Sequence, residues 1–193
     1  LFALNCLPST VCPQLTLERD PKLNIIELFS QIWGVGSERA LALYIKGYRT
    51  LDDLRRRDNI GVVGVQPGGG GKDDLTRQQA IGLKYFDDLL KRIPRAEVED
   101  IGRAVQVGSS ELNAEAEAVV MGSYRRGKES SGDCDVLITL RDGGPFQGLL
   151  PELVRHLTQK GFLYDDLSLS TGDSEHQNEM YMGVCRTDPT KPF

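Results

Sequence analysis

Histidine is almost missing from this chain. There are 2 in 193 residues, His156 and His176, with no partner at ligand spacing, so both are expected to be structural or solvated. The 4 cysteines, Cys6, Cys12, Cys134 and Cys185, form no Cys-x-x-Cys pair. A zinc site or a disulfide framework is therefore not expected, and a reducing compartment fits. No apolar run reaches the length that spans a bilayer, so no membrane partner is expected. The opening Leu1 to Leu15 has no basic leader and is interrupted by Pro8 and Pro13, which argues against a signal peptide. What remains is a chain long enough to bury a core as one large or two small domains.

The net charge of −5 conceals an asymmetry. Residues 22–95 carry 13 Lys and Arg against 9 Asp and Glu, whereas residues 96–193 carry 9 against 17. A basic amino half and an acidic carboxy half suit a module that grips nucleic acid joined to one that binds metal.

Caps and periodicity predict the elements. Asp20 can cap a helix with Pro21 in its first turn and with Leu23, Ile26 and Phe29 on one side. Gly34 and Gly36 form a tight turn, Ser37 opens a second helix with Leu41 and Tyr44 at helical spacing, and Gly47 closes it. This is a helix-hairpin-helix pattern. Gly34, Val35, Gly36 and Ser37 are the candidate DNA contacts, because a glycine turn lets main-chain groups approach phosphates, and its carbonyls can hold a monovalent cation. Trp33 is expected to pack between the helices. A third helix is predicted from Thr50, with Leu51 and Leu54 apolar, to the solvated triplet Arg55-Arg56-Arg57. Gly61 to Gly71 reads as a loop. It is not a phosphate-binding Walker A loop, since Gln66 and Asp73 stand where glycine and Ser/Thr are needed. Thr76 and Gln79 form a capping box for a helix to Lys91, and Pro94 starts another to about Val107. A strand Ala118 to Met121, a strand to Leu140, a helix from about Phe146 to Lys160, and strands Phe162 to Leu169 and Met180 to Arg186 complete the prediction.

The most informative stretch is Gly122-Ser123-Tyr124-Arg125-Arg126-Gly127-Lys128-Glu129-Ser130-Ser131-Gly132-Asp133-Cys134-Asp135-Val136-Leu137-Ile138-Thr139. On a strand, Asp133 and Asp135 would share a face while Cys134 points the other way. Two carboxylates in one small volume repel unless a hard cation sits between them. Two such ions about 3.5–4 Å apart can stabilise both oxygens of an in-line phosphoryl displacement. Upstream, a helix beginning at Ser123 would turn free N–H groups toward an anion, with Arg126 and Lys128 adding charge.

This stretch resembles the nucleotidyltransferase motif of the X-family DNA polymerases, especially the beta and lambda members. Ile32-Trp33-Gly34-Val35-Gly36, Gln79 to Phe86, Arg92-Ile93-Pro94-Arg95 and Met182-Gly183-Val184-Cys185-Arg186 match in the same order, so the resemblance covers roughly Leu23 to Arg186. Gly122-Ser123 favours beta and lambda members, while Gln31 to Gly36 is also mu-like, which leaves the subfamily open.

The resemblance implies a nuclear DNA-repair polymerase, expected to be monomeric, that transfers a nucleotide from a deoxynucleoside triphosphate to a primer 3′-hydroxyl on gapped or primed DNA. Asp133 and Asp135 would hold Mg²⁺ or Mn²⁺, and Ser123, Arg126, Gly132 and Arg92 would contact the triphosphate. The expected fold is α+β. Residues 1–20 are an unassigned tail, 21–106 a helical DNA-binding region, and 107–193 part of a palm sheet with helices on one face. The family's third carboxylate and carboxy-terminal domain are expected beyond Phe193 and its lyase domain ahead of Leu1; Asp188, followed by Pro189, does not replace the carboxylate. The 193 residues are accordingly expected to be a fragment that does not extend a primer by itself. A nucleotidyltransferase acting on RNA ends would share the aspartates but gives no reason for the glycine hairpin. A non-catalytic DNA-binding module would explain the hairpin and leave the aspartates idle.

Overall fold

The computed structural model describes residues 20–57, 75–144, 147–170 and 179–187. Residues 1–19 of the predicted tail at 1–20, the loop at Gly61 to Gly71, His176 and Asp188 lie outside the described residues. The fold is α+β, with helices leading and strands following.

Helix α1 (Pro21–Ser30) begins as its residues dictate: the Asp20 carboxylate accepts from the Lys22 amide at 3.0 Å. A turn with Gly34 at φ 79 leads into α2 (Ser37–Ile45), and Gly47 at φ 99 ends that helix. In α3 (Leu51–Arg57), Asp53 Oδ2 accepts from the amides of Arg49 and Thr50, and Thr50 Oγ1 accepts from that of Asp53. The Thr76–Gln79 capping box forms with both of its bonds, starting α4 (Arg77–Lys84). The predicted helix to Lys91 breaks at Tyr85, where the backbone leaves the helical region (φ −102, ψ 20), and resumes as α5 (Phe86–Leu89). The apolar stripes follow the prediction at Ile26 and Phe29 and depart from it elsewhere. Leu23 and Leu41 are exposed, and the core is formed by Phe29, Ile32, Val35, Ala40, Leu43, Leu54, Leu75, Ala80, Leu83 and Phe86. Tyr44 instead carries the Arg49 guanidinium 4.0 Å from its ring centre, an arrangement favoured at the solvent boundary.

Strand β1 (Ile93–Pro94) pairs antiparallel with β3 (Ser130–Ser131). Helix α6 (Arg95–Leu112) runs unbroken past residues 106 and 107. Strand β2 (Ala116–Val120) leads through Met121 to the one-turn helix α7 (Gly122–Arg125), and it pairs antiparallel with β4 (Val136–Leu140). Gln106 fastens α6 to β2, accepting from the Ala118 amide at 2.6 Å and donating to the Ala116 carbonyl at 3.2 Å. Close helix-to-strand contact comes from Gly102, where a Cβ would stand 2.2 Å from Val120 Cγ2. Helix α8 (Leu149–Gln159) packs on α6, and β5 (Leu163–Ser170) pairs antiparallel with β6 (Met180–Cys185). The expected single palm sheet is, among the described residues, three two-stranded ribbons.

His156 has a structural role: its Nε2 lies 2.6 Å from Glu111 Oε2, which also pairs with the Lys160 ammonium, so one carboxylate ties α6 to α8. Lys160 and then His156 hold the Glu111 carboxyl below its ordinary value of 4.5. Because the folded value is depressed, this tie is fully present above the unfolded value and is lost as the pH falls through the folded one. A carboxyl titration by NMR is expected to place Glu111 below 4.5, and Lys160→Met to return it toward that value.

Candidate active site

The site grows from the junction of β2, α7 and β4. Met121 donates its amide to the Asp135 carbonyl at 2.8 Å, which extends the β2–β4 ladder by one pair and sets Asp135 opposite the start of the glycine turn. Gly122 has φ +52, and a Cβ there would lie 2.0 Å from Asp135 Oδ2. Both the backbone conformation and the carboxylate's seat against Cα therefore require glycine. This contact sets the Gly-Ser turn against Asp135.

Asp133 and Asp135 stand just ahead of the strand to Leu140 rather than on its alternating faces. They precede β4, with Asp133 in a bend, so strict alternation of strand faces does not govern them. They are still electrostatic neighbours. Partial burial first, and then the Asp133 charge, raise the Asp135 carboxyl above its usual value, while Arg126 opposes this. A divalent cation relieves such a frustration, and hard carboxylate oxygens suit Mg²⁺ or Mn²⁺. The pair thus fits a metal, although among the described residues no group of three or more His, Cys, Asp or Glu is arranged to hold one. Cys134, half-buried between them, is pushed up to about 12 by burial, with Cys185, Asp135 and Asp133 adding. Its Sγ lies 3.9 Å from the Val98 carbonyl. It is a protonated packing group at neutral pH and not a nucleophile.

The four residues assigned to the triphosphate fall around one loop. Ser123 Oγ donates to Ser131 Oγ at 2.8 Å. Arg92 Nε donates to Ser130 Oγ at 2.7 Å, and its Nη2 bonds the Ser130 carbonyl. Gly132 follows directly, with nothing within 4 Å of where its Cβ would be. Arg126 is exposed, within electrostatic reach of Asp135. The helix at Ser123 is a single turn, α7, starting at Gly122.

Arg95 was legible only as part of a matching block, with no role. Its Nη1 donates to the carbonyls of Tyr124 (2.9 Å) and Lys128 (3.2 Å), and its amide donates to that of Glu129 (2.9 Å). Its guanidinium also stacks 3.8 Å from the Tyr124 ring centre. Arg95 therefore shapes the whole loop from α7 to β3. Position in sequence gave no signal of this, because its partners stand about thirty residues away.

In the helical part, Gly34, Gly36 and Ser37 are exposed and Val35 is buried in the core. Trp33 packs away from the α1–α2 interface, against Ile81, Tyr85 and Leu167.

Two family models match the sequence of this chain. That described as "DNA polymerase beta palm" covers residues 92–192, and "Fingers domain of DNA polymerase lambda" covers residues 27–90. The chain is 43% identical over 162 residues to DNA polymerase lambda of Rattus norvegicus, covering 84% of this chain and 25% of that protein. It is 40% identical over 171 residues to DNA polymerase lambda of Arabidopsis thaliana, covering 87% of this chain and 30% of that protein. The chain thus spans less than a third of the length of these relatives.

Proposed function

This chain belongs to the X family of DNA polymerases, and we propose that it forms part of a lambda-like, DNA-directed repair polymerase acting in the nucleus as a monomer. The helical region to about residue 106 grips gapped or primed DNA, and the region from 107 supplies the nucleotidyl-transfer site, with α6 spanning the two. The observation that supports this most directly is the seat of the Asp135 carboxylate on Gly122, which brings the phosphate turn and the aspartate pair to one place.

In this reading Asp133 and Asp135 hold Mg²⁺, or Mn²⁺ in its place. Bound there, the metal supplies charge neutralisation at the attacking and leaving oxygens. The chain's own groups position the reactants. The Ser123 hydroxyl, the Arg126 guanidinium and the backbone at Gly132 face the triphosphate of the incoming deoxynucleotide. Arg92, braced on Ser130, adds positive charge beside them. Fixing triphosphate and primer in register supplies much of the barrier reduction in phosphoryl transfer. Gly34, Val35, Gly36 and Ser37 form the helix-hairpin-helix turn that meets DNA phosphates through the backbone, with a monovalent cation held on its carbonyls. The Gly34 carbonyl already accepts from Gln79 Nε2 at 2.8 Å, which leaves it less free for a cation than its neighbours in the turn.

The turn offers a clean test. A Cβ at Gly36 meets no protein atom within 4 Å, and its φ of −80 suits any residue. Gly36→Val is therefore expected to fold normally and to weaken binding to gapped DNA about tenfold by barring the phosphate backbone, a loss in the range of a lost charge-assisted contact. The parent's affinity is expected to be independent of base sequence and to fall steeply with salt in a fluorescence-anisotropy titration. Affinity indifferent to both salt and this substitution overturns the assignment.

A further inference from the structure

A continuous set of contacts runs from the glycine turn to the palm. Gln79 on α4 donates to the Gly34 carbonyl. One turn on, Gly82 lies against Trp33 so closely that a Cβ would be 2.8 Å from the Trp33 carbonyl oxygen. At the end of α4, Lys84 Nζ and the Tyr85 hydroxyl both reach Asp165 Oδ2 on β5, each at 2.7 Å. The Lys84 ammonium also stands 4.6 Å from the Tyr85 ring centre. Beneath this polar contact, Ile81 and Tyr85 pack with Leu167, and Trp33 and Val184 close the cluster.

We propose that Asp165 is a positioning residue, which through Tyr85 and Lys84 fixes the angle between the DNA-gripping turn and the palm that carries Asp133 and Asp135. This rests on the polymerase reading given above. An exposed ion pair alone would contribute little. Asp165 differs because one of its donors is the hydroxyl of a buried tyrosine, and removing the carboxylate takes away the one oxygen on which that hydroxyl and the Lys84 ammonium converge. The junction also coincides with the break between α4 and α5, so the contact holds the chain where the helix itself does not continue. Misplacing reacting groups by about 1 Å can cost as much as a hundredfold in rate, so a small rotation here is felt at the chemistry.

The test combines a geometric and a kinetic readout. Spin labels replace exposed Glu38 on α2 and exposed Thr139 on β4, and their distance distribution is measured without DNA by double electron–electron resonance. Asp165→Ala is expected to broaden the distribution. Asp165→Asn, which keeps an oxygen for the Tyr85 hydroxyl but loses the charge facing Lys84, is expected to broaden it less. Tyr85→Phe preserves the packed ring and provides a second broadening variant should Asp165→Ala fail to fold. In a full-length polymerase containing this segment, Asp165→Ala or Tyr85→Phe is expected to lower kcat about tenfold, with the nucleotide KM and the affinity for gapped DNA within about twofold of the parent. A distribution as narrow in these variants as in the parent overturns the proposal, as does a broader one with unchanged kcat. A parent that binds no gapped DNA overturns the reading of the turn instead, while the distance measurement still decides whether Asp165 sets the relation between the two parts.

Discussion

Asp133→Ala is expected to lower nucleotide incorporation by a polymerase containing this segment by at least about a thousandfold, the scale of losing a principal electrostatic stabiliser of a transition state. The expectation rests on charge. Partial burial first, and then the Asp133 charge, raise the Asp135 carboxyl, and a divalent cation is the partner that would make both carboxylates favourable together. In the 193-residue chain itself, the same substitution, or Asp135→Asn, is expected to remove most of the broadening that Mn²⁺ causes in nearby NMR signals. Gly122→Val tests the geometry without touching a carboxylate. Its Cβ would fall 2.0 Å from Asp135 Oδ2 at a positive φ, so Asp135 must move and Mn²⁺ broadening should weaken as it does in the aspartate variants. Incorporation that survives Asp133→Ala, measured by primer extension in single turnover, would remove these aspartates from the chemistry.

Phe29→Ala is expected to destabilise the helical part by about 3–5 kcal/mol, the usual cost of deleting a buried phenylalanine and leaving its cavity. Phe29 is fully buried among Ile32 and Val35 of the following turn, Ala40 and Leu43 of α2 and Leu54 of α3, so no neighbouring surface can collapse into the space without moving a helix. That is a large share of the roughly 5–15 kcal/mol of a typical domain. Chemical denaturation should show the loss as a lower midpoint, accompanied by loss of salt-sensitive DNA binding, since the glycine turn hangs directly from this core through Ile32 and Val35. An exposed control, Leu23→Ala, should change stability by no more than about 0.5 kcal/mol.

How much could be read in advance depended on whether a feature is local. The Asp20 cap, the Thr76–Gln79 box and the helix end at Gly47 were all legible, because each is an interaction between residues within a turn or two of one another. The break at Tyr85 was not. Residues 77–91 are helical in pattern, and the break falls at Tyr85, which packs with Ile81 and with Leu167, a partner some eighty residues away. The stripes of α1 and α2 were legible only in part for a related reason: Ile26 and Phe29 of α1 do face the core, but Leu23 and Leu41, apolar at helical spacing, are exposed, since which face is buried depends on where the other helices pack. The expected palm sheet divided into ribbons because strand pattern reports pairing propensity and says nothing of neighbours.

The candidate site divides along the same line. Sequence alone supplied the proposed ingredients: Gly122, Ser123, Asp133 and Asp135 in an order and spacing that resemble a nucleotidyltransferase motif, from which hard oxygen ligands beside a phosphate-facing turn are proposed. Only the tertiary structure decided how these are held. It placed Asp135 on the Cα of Gly122, braced Arg92 on Ser130, gave Arg95 the three carbonyls of the loop, and joined α4 to β5 through Asp165. The reason is physical: a motif specifies which groups can react, whereas their orientation comes from contacts between residues far apart in the chain, and these exist only after the backbone has closed around them.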